Sequence, residues 1–124
     1  MNAQEHLLTT LVEECSEVAK TGCKSLRFGL NDRSPLDPHG PTNLEKLVYE
    51  LNDLVAVVNM LEDVGVVPHG WQNQKLQADK QGKVAKFMGY AIAMGTLSSV
   101  PAAAFVTPTP PTTNLTQIDT KLVV

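Results

Sequence analysis

Residues Leu8 to Ala19 read LTTLVEECSEVA, and residues Leu44 to Val55 read LEKLVYELNDLV. The second stretch lies 36 positions after the first, ten helical turns at 3.6 residues each. Leu8 falls on Leu44, Leu11 on Leu47, Val12 on Val48, Val18 on Leu54 and Ala19 on Val55. Glu14 falls on Glu50, and Glu17 on Asp53. Both stretches space their apolar residues by three and four, the signature of an amphipathic helix. Each also carries a carboxylate pair at i and i+3, where side chains are neighbours on the helix surface. Packed as an antiparallel hairpin through equivalent stripes, the two helices would set four acids around one space.

The apolar pattern continues outward from both stretches. Leu7, Leu8, Leu11, Val12, Cys15, Val18, Ala19 and Leu26 predict a first helix from about Ala3 to Phe28, stopped by Gly29. The segment NDRSPLDPHGPTN breaks it with three prolines, giving a loop of about 14 residues, long enough to suggest a functional role. Thr42 and Glu45 have capping-box spacing, and Leu44 to Leu61 predict a second helix ending near Val64, before Gly65. After the turn GVVPHGW, a third helix is expected from about Gln72 to Met94, with Leu76, Val84, Phe87, Met88 and Ala91 inward. From Thr96 the chain turns rich in Pro, Thr and Ser, which predicts a disordered or interaction tail.

The expected organisation is therefore a helical domain over residues 1–95 and a low-complexity tail over 96–124. The fold class is all-α, an antiparallel helical bundle. Three helices make a thin core for a monomer, so dimerisation or higher assembly is expected to complete it. A net charge of −3 disfavours a nucleic-acid or membrane-surface binder. The N-terminus MNAQEHLLTT lacks a signal-peptide pattern, and no apolar run reaches the ~20 residues of a membrane span, so a cytoplasmic location is expected. Cys15 and Cys23, eight residues apart on one helix, stand about 12 Å apart, too far for a disulfide. They are expected to be reduced and core-facing.

Four crowded carboxylates repel one another unless a cation sits between them. An all-oxygen donor set selects a hard divalent ion, Mg²⁺ or Mn²⁺, and Mg²⁺ held this way commonly meets substrate phosphates. The competing reading is a solvated helix flank, with Glu13 and Glu17 in weak bridges to Lys20 and Lys24. The dispersed His6, His39 and His69 offer no ligand pattern, and no GxxxxGK[ST] phosphate loop is present. Trp71 and Tyr90 could stack on a base and Asn52 and Asn59 could read a base edge, although a lone Trp after a turn is more often a packing anchor.

EECSE at Glu13 to Glu17 followed by ELND at Glu50 to Asp53 resembles the EExxE and ExxD motifs of the MazG-like all-α nucleoside triphosphate pyrophosphohydrolases, in a small phage-type or bacterial version. The resemblance covers about residues 3 to 95. It implies a helical assembly, a homodimer or homotetramer, that uses Mg²⁺ to cleave (d)NTPs to monophosphate and pyrophosphate. By motif position Glu14, Glu17, Glu50 and Asp53 would be metal ligands, and Glu13 an accessory acid orienting the attacking water. Cationic help with the phosphates would come from Lys24, Arg27, Lys83 and Lys86, with Lys75 roughly in line; a solvated lysine face is the alternative for each. The 32 residues between Glu17 and Glu50 exceed the shorter spacing common in the family, and the Pro/Thr tail has no counterpart in its pattern. A catalytically silent helical interaction module is the alternative function.

Overall fold

The structure is a computed structural model that describes residues 1–99; most of the expected tail, 96–124, lies outside the described residues. The described residues are helical, without strands, and form two compact units, Met1–Trp71 and a second beginning at Gln72. The first unit holds α1 (Ala3–Phe28) and α2 (Asn43–Asp63). The second holds α3 (Gln74–Ala93).

Helix α1 starts at a reciprocal cap: the Glu5 N–H donates to Asn2 Oδ1 at 2.8 Å, and the Asn2 N–H donates to Glu5 Oε2 at 2.9 Å. Two otherwise unpaired helix-end donors are thereby satisfied. The helix stops where expected, at Gly29, whose φ of 97° suits a residue without Cβ and whose N–H donates to Ser25 O. Thr42 caps α2 by accepting from the Glu45 N–H at 3.2 Å, and Gly65 follows its end with φ 78°.

The loop between the helices is pinned at both ends. Asn43 Nδ2 donates to Gly29 O at 2.9 Å, Asn43 N to Asp32 O and Leu44 N to Leu30 O. Within it, Arg33 Nε donates to Gly40 O at 3.0 Å, and a Cβ at Gly40 would strike the Asp37 carboxylate. These ties fix the register in which α2 returns along α1.

The return is antiparallel, since Leu7 near the start of α1 packs with Val57 and Leu61 near the end of α2, joined by Leu11, Val66 and Val67. The contact follows one heptad-like seam on each helix. Leu7, Leu11, Glu14, Val18, Thr21 and Ser25 are all buried or half-buried, and so are Asn43, Leu47, Glu50, Leu54, Val57 and Leu61. Steps of four and three keep such a seam facing its partner.

Only half of each expected stripe takes part. Leu8, Val12, Cys15, Ala19 and Leu26 on α1, and Leu44, Val48, Leu51 and Val55 on α2, are exposed, Val12 to 69% and Leu26 to 88%. Each sits one residue after a seam position, about 100° round its helix. Because the helices run in opposite directions, this rotation carries both stripes to the same side of the hairpin. The expectation of core-facing cysteines fails for this reason: Cys15 and Cys23 lie off the seam as exposed free thiols.

In the second unit, Asn73 Oδ1 caps α3 by accepting from the Leu76 N–H at 3.0 Å. Thr96 N and Leu97 N both donate to Ala91 O, so the described chain folds back over the end of α3. No residue of α3 is fully buried. Leu76, Val84 and Phe87, expected inward, are exposed, while Met88 and Ala91 are half-buried beside Leu97. Among the described residues of this unit no second helix faces them.

Candidate metal and phosphate site

The hairpin seam is apolar at most positions, but at its middle it carries an acid from each helix. Glu14 follows Leu11 by three residues and precedes Val18 by four; Glu50 stands in the same relation to Leu47 and Leu54. Both are therefore half-buried against the opposite helix. Asp53 lies three residues beyond Glu50 and one before the seam residue Leu54, on the flank opposite the exposed apolar stripes. Carboxylate oxygens of Glu14, Glu50 and Asp53 all lie within 4.8 Å of one another.

Glu17, expected as the fourth ligand, stands outside this set. It precedes the seam residue Val18, on the same flank as Asp53, and its Oε2 meets Lys20 Nζ at 3.5 Å in a half-exposed pair. Such a pair holds a side chain only weakly. Glu13, expected as the accessory acid, precedes Glu14 on that flank and is exposed.

The electrostatics centre on Glu14. Partial desolvation between the helices raises its pKa above the ordinary 4.5, and the negative charges of Asp53, Glu50, Glu13 and Glu17 raise it further. Glu14 thus has four acids around it, the field that a cation would relieve. The donor chemistry fits a hard divalent ion: three carboxylates from two rigid helices leave room for water or phosphate oxygens in an octahedral shell. Oxygens ~2.1 Å from one ion stand up to about 4.2 Å apart, so small side-chain rotations would close the set around it.

The raised pKa has a consequence for stability. A folded-state pKa above the unfolded one favours folding while Glu14 is protonated, and that contribution is lost as pH rises through the folded value. In metal-free protein, Glu14→Gln should therefore gain stability over the wild type as pH is raised from below 4.5 through the carboxylate range. Thermal melts of both proteins across that range test it; a gap that stays constant or narrows would contradict the assignment.

The cations expected to assist lie in several places. Lys24 and Arg27 are exposed near the end of α1, and the Arg27 guanidinium stacks 4.8 Å from the Phe28 ring centroid. Lys83 lines an open apolar groove on α3 with Lys80, Val84 and Phe87, and Lys86 is exposed on the same helix. Lys75 pairs with Asp79 at 3.5 Å. His69 donates no metal-site geometry; its Nδ1 meets Glu62 Oε1 at 2.6 Å after the end of α2.

No protein family, curated protein or solved structure matches the chain in sequence or structure comparison. Among the described residues no helix is long and apolar enough to cross a membrane.

Proposed function

We propose that the chain is a Mg²⁺-dependent nucleoside triphosphate pyrophosphohydrolase of the MazG-like kind, cleaving (d)NTPs between the α- and β-phosphates. The observation that carries this reading is the convergence of Glu14, Glu50 and Asp53 from two helices within 4.8 Å. Their positions are those of the motif acids in EECSE and ELND.

Glu14, Glu50 and Asp53 would hold the ion, and Glu17 would join them by leaving its exposed pair with Lys20. Mn²⁺ suits the same oxygen donors. Bound Mg²⁺ would offset the triphosphate charge and favour in-line attack by water at the α-phosphorus. Glu13, exposed one residue before Glu14, would accept a hydrogen bond from that water and orient it. The seam residues Leu11, Val18, Leu47 and Leu54 hold the acids on packed helices rather than loops. Lys24 and Arg27, on the same unit as the carboxylates, remain proposed cationic partners of the phosphates.

The assembly we infer is a homodimer or a multiple of it, the second copy covering the side of the hairpin that carries Leu8, Val12, Leu51 and Val55. That side holds apolar residues in register on both helices, and it lies opposite Asp53 and Glu17. A pair of hairpins joined there would form a four-helix bundle with its acids on the outside. Leu51→Glu with Val55→Glu should convert the protein to monomer in sedimentation velocity, whereas a wild type already monomeric at tens of micromolar would contradict the assembly.

The test of function is incubation with each (d)NTP in Mg²⁺, in Mn²⁺ and in chelator. The reading expects chelator-sensitive hydrolysis of at least one nucleotide. Absence of turnover across the panel at high protein concentration would instead favour a non-catalytic helical interaction module.

A further inference from the structure

Lys46 was not among the cations singled out by sequence, yet its placement differs from that of every other described lysine and arginine. It lies four residues before Glu50 and seven before Asp53, so one and two turns along the same face of α2. It directly precedes the seam residue Leu47, as Asp53 precedes Leu54, which puts it on the flank where the carboxylates open and away from the apolar side. It is half-buried, whereas the other described lysines and arginines are exposed. A stem that lies along the hairpin while its ammonium reaches solvent accounts for that burial. Despite three acids on its own flank, Lys46 makes no ion pair or side-chain hydrogen bond with any described residue.

We infer that Lys46 is a phosphate-binding residue of this site, contacting the polyphosphate of a substrate whose other oxygens meet the carboxylate-held ion. The inference rests on the proposed function for the identity of the substrate, but the chemistry it needs is only a polyphosphate and a divalent ion. A carboxylate cage repels a polyanion, and a cation one turn away on a rigid helix supplies attraction without entering the cage. An ammonium anchored by its stem loses less side-chain freedom on binding than exposed Lys24 would.

The experiment uses inorganic tripolyphosphate with Mg²⁺ as probe, titrated by calorimetry into wild type, Lys46→Met and Lys46→Arg. Losing one charge-assisted contact should weaken tripolyphosphate binding by roughly 10- to 100-fold in Lys46→Met. Lys46→Arg should restore most of it, and the affinity for Mg²⁺ alone should be unchanged or tighter in Lys46→Met, since a positive charge has been removed. Helical circular dichroism should be the same in all three. Tripolyphosphate binding by Lys46→Met as tight as wild type, or a parallel loss of Mg²⁺ affinity, would overturn the inference. Turnover of nucleotides with Lys46 dispensable would leave the proposed function standing without it; Lys46-dependent tripolyphosphate binding without turnover would do the reverse.

Discussion

Replacing Glu50 with Gln and Asp53 with Asn should lower nucleotide hydrolysis by at least about 10³-fold, equivalent to roughly 4 kcal/mol of transition-state stabilisation. The two changes remove two of the three converging carboxylates while preserving side-chain size, so packing at the seam is retained. Relief of the repulsion around Glu14 should leave the metal-free double variant at least as stable as the wild type, because Asp53 and Glu50 both raise the Glu14 pKa. Helical circular dichroism and Mg²⁺ calorimetry on the same samples separate the two effects: helicity is kept and metal binding is lost. A double variant that turns over nucleotide at the wild-type rate would remove the cage from the mechanism.

Leu61→Ala should destabilise the fold by about 2–5 kcal/mol, the cost of a large-to-small change at a site that cannot collapse. Leu61 is 0% exposed and packs with Leu7 and Val57, while its carbonyl accepts from Val66 N and Val67 N as the chain leaves α2. Few other side chains can take up the loss, because Leu7 and Val57 are the other buried hydrophobics among the described residues, and each keeps some exposure. Leu36→Ala, in the loop and 95% exposed, serves as the control and should change stability by no more than about 0.5 kcal/mol. Urea denaturation of the two variants beside the wild type checks both values; equal small effects would contradict the placement of the core.

The extent of α1 was legible because its apolar period, its length and its stop at Gly29 all agree, and the observed Ala3–Phe28 is the expected span. The ends of α2 fell within a residue of expectation because Thr42 and Gly65 mark them chemically. Which stripe joins the helices was not legible. Leu7 and Leu8, Leu11 and Val12, Leu47 and Val48, and Leu54 and Val55 are adjacent apolar pairs, so hydrophobicity alone favours neither member. The choice is made by the loop, whose bonds from Asn43 and Leu44 to Gly29, Asp32 and Leu30 set the register. No local pattern announces those bonds.

The same register sorts the acids. By spacing, Glu14 and Glu17 are equivalent to Glu50 and Asp53, and all four were expected around one space. In the structure Glu14 and Glu50 occupy seam positions, while Glu17 and Asp53 sit on the flank, and only Asp53 comes within reach of both. The signal for Lys46 in the sequence is its distance of four from Glu50, which places the two on one helix face. The Asn2 cap was also readable, since Asn2 and Glu5 have the spacing of a capping box.

The most direct test of the central claim is the product ratio. Wild-type protein with Mg²⁺ and a nucleoside triphosphate should release nucleoside monophosphate and pyrophosphate in equal amounts, and the Glu50→Gln/Asp53→Asn variant should release neither above background. Formation of nucleoside diphosphate and orthophosphate, or equal product from wild type and variant, would contradict α–β cleavage at the carboxylate cage.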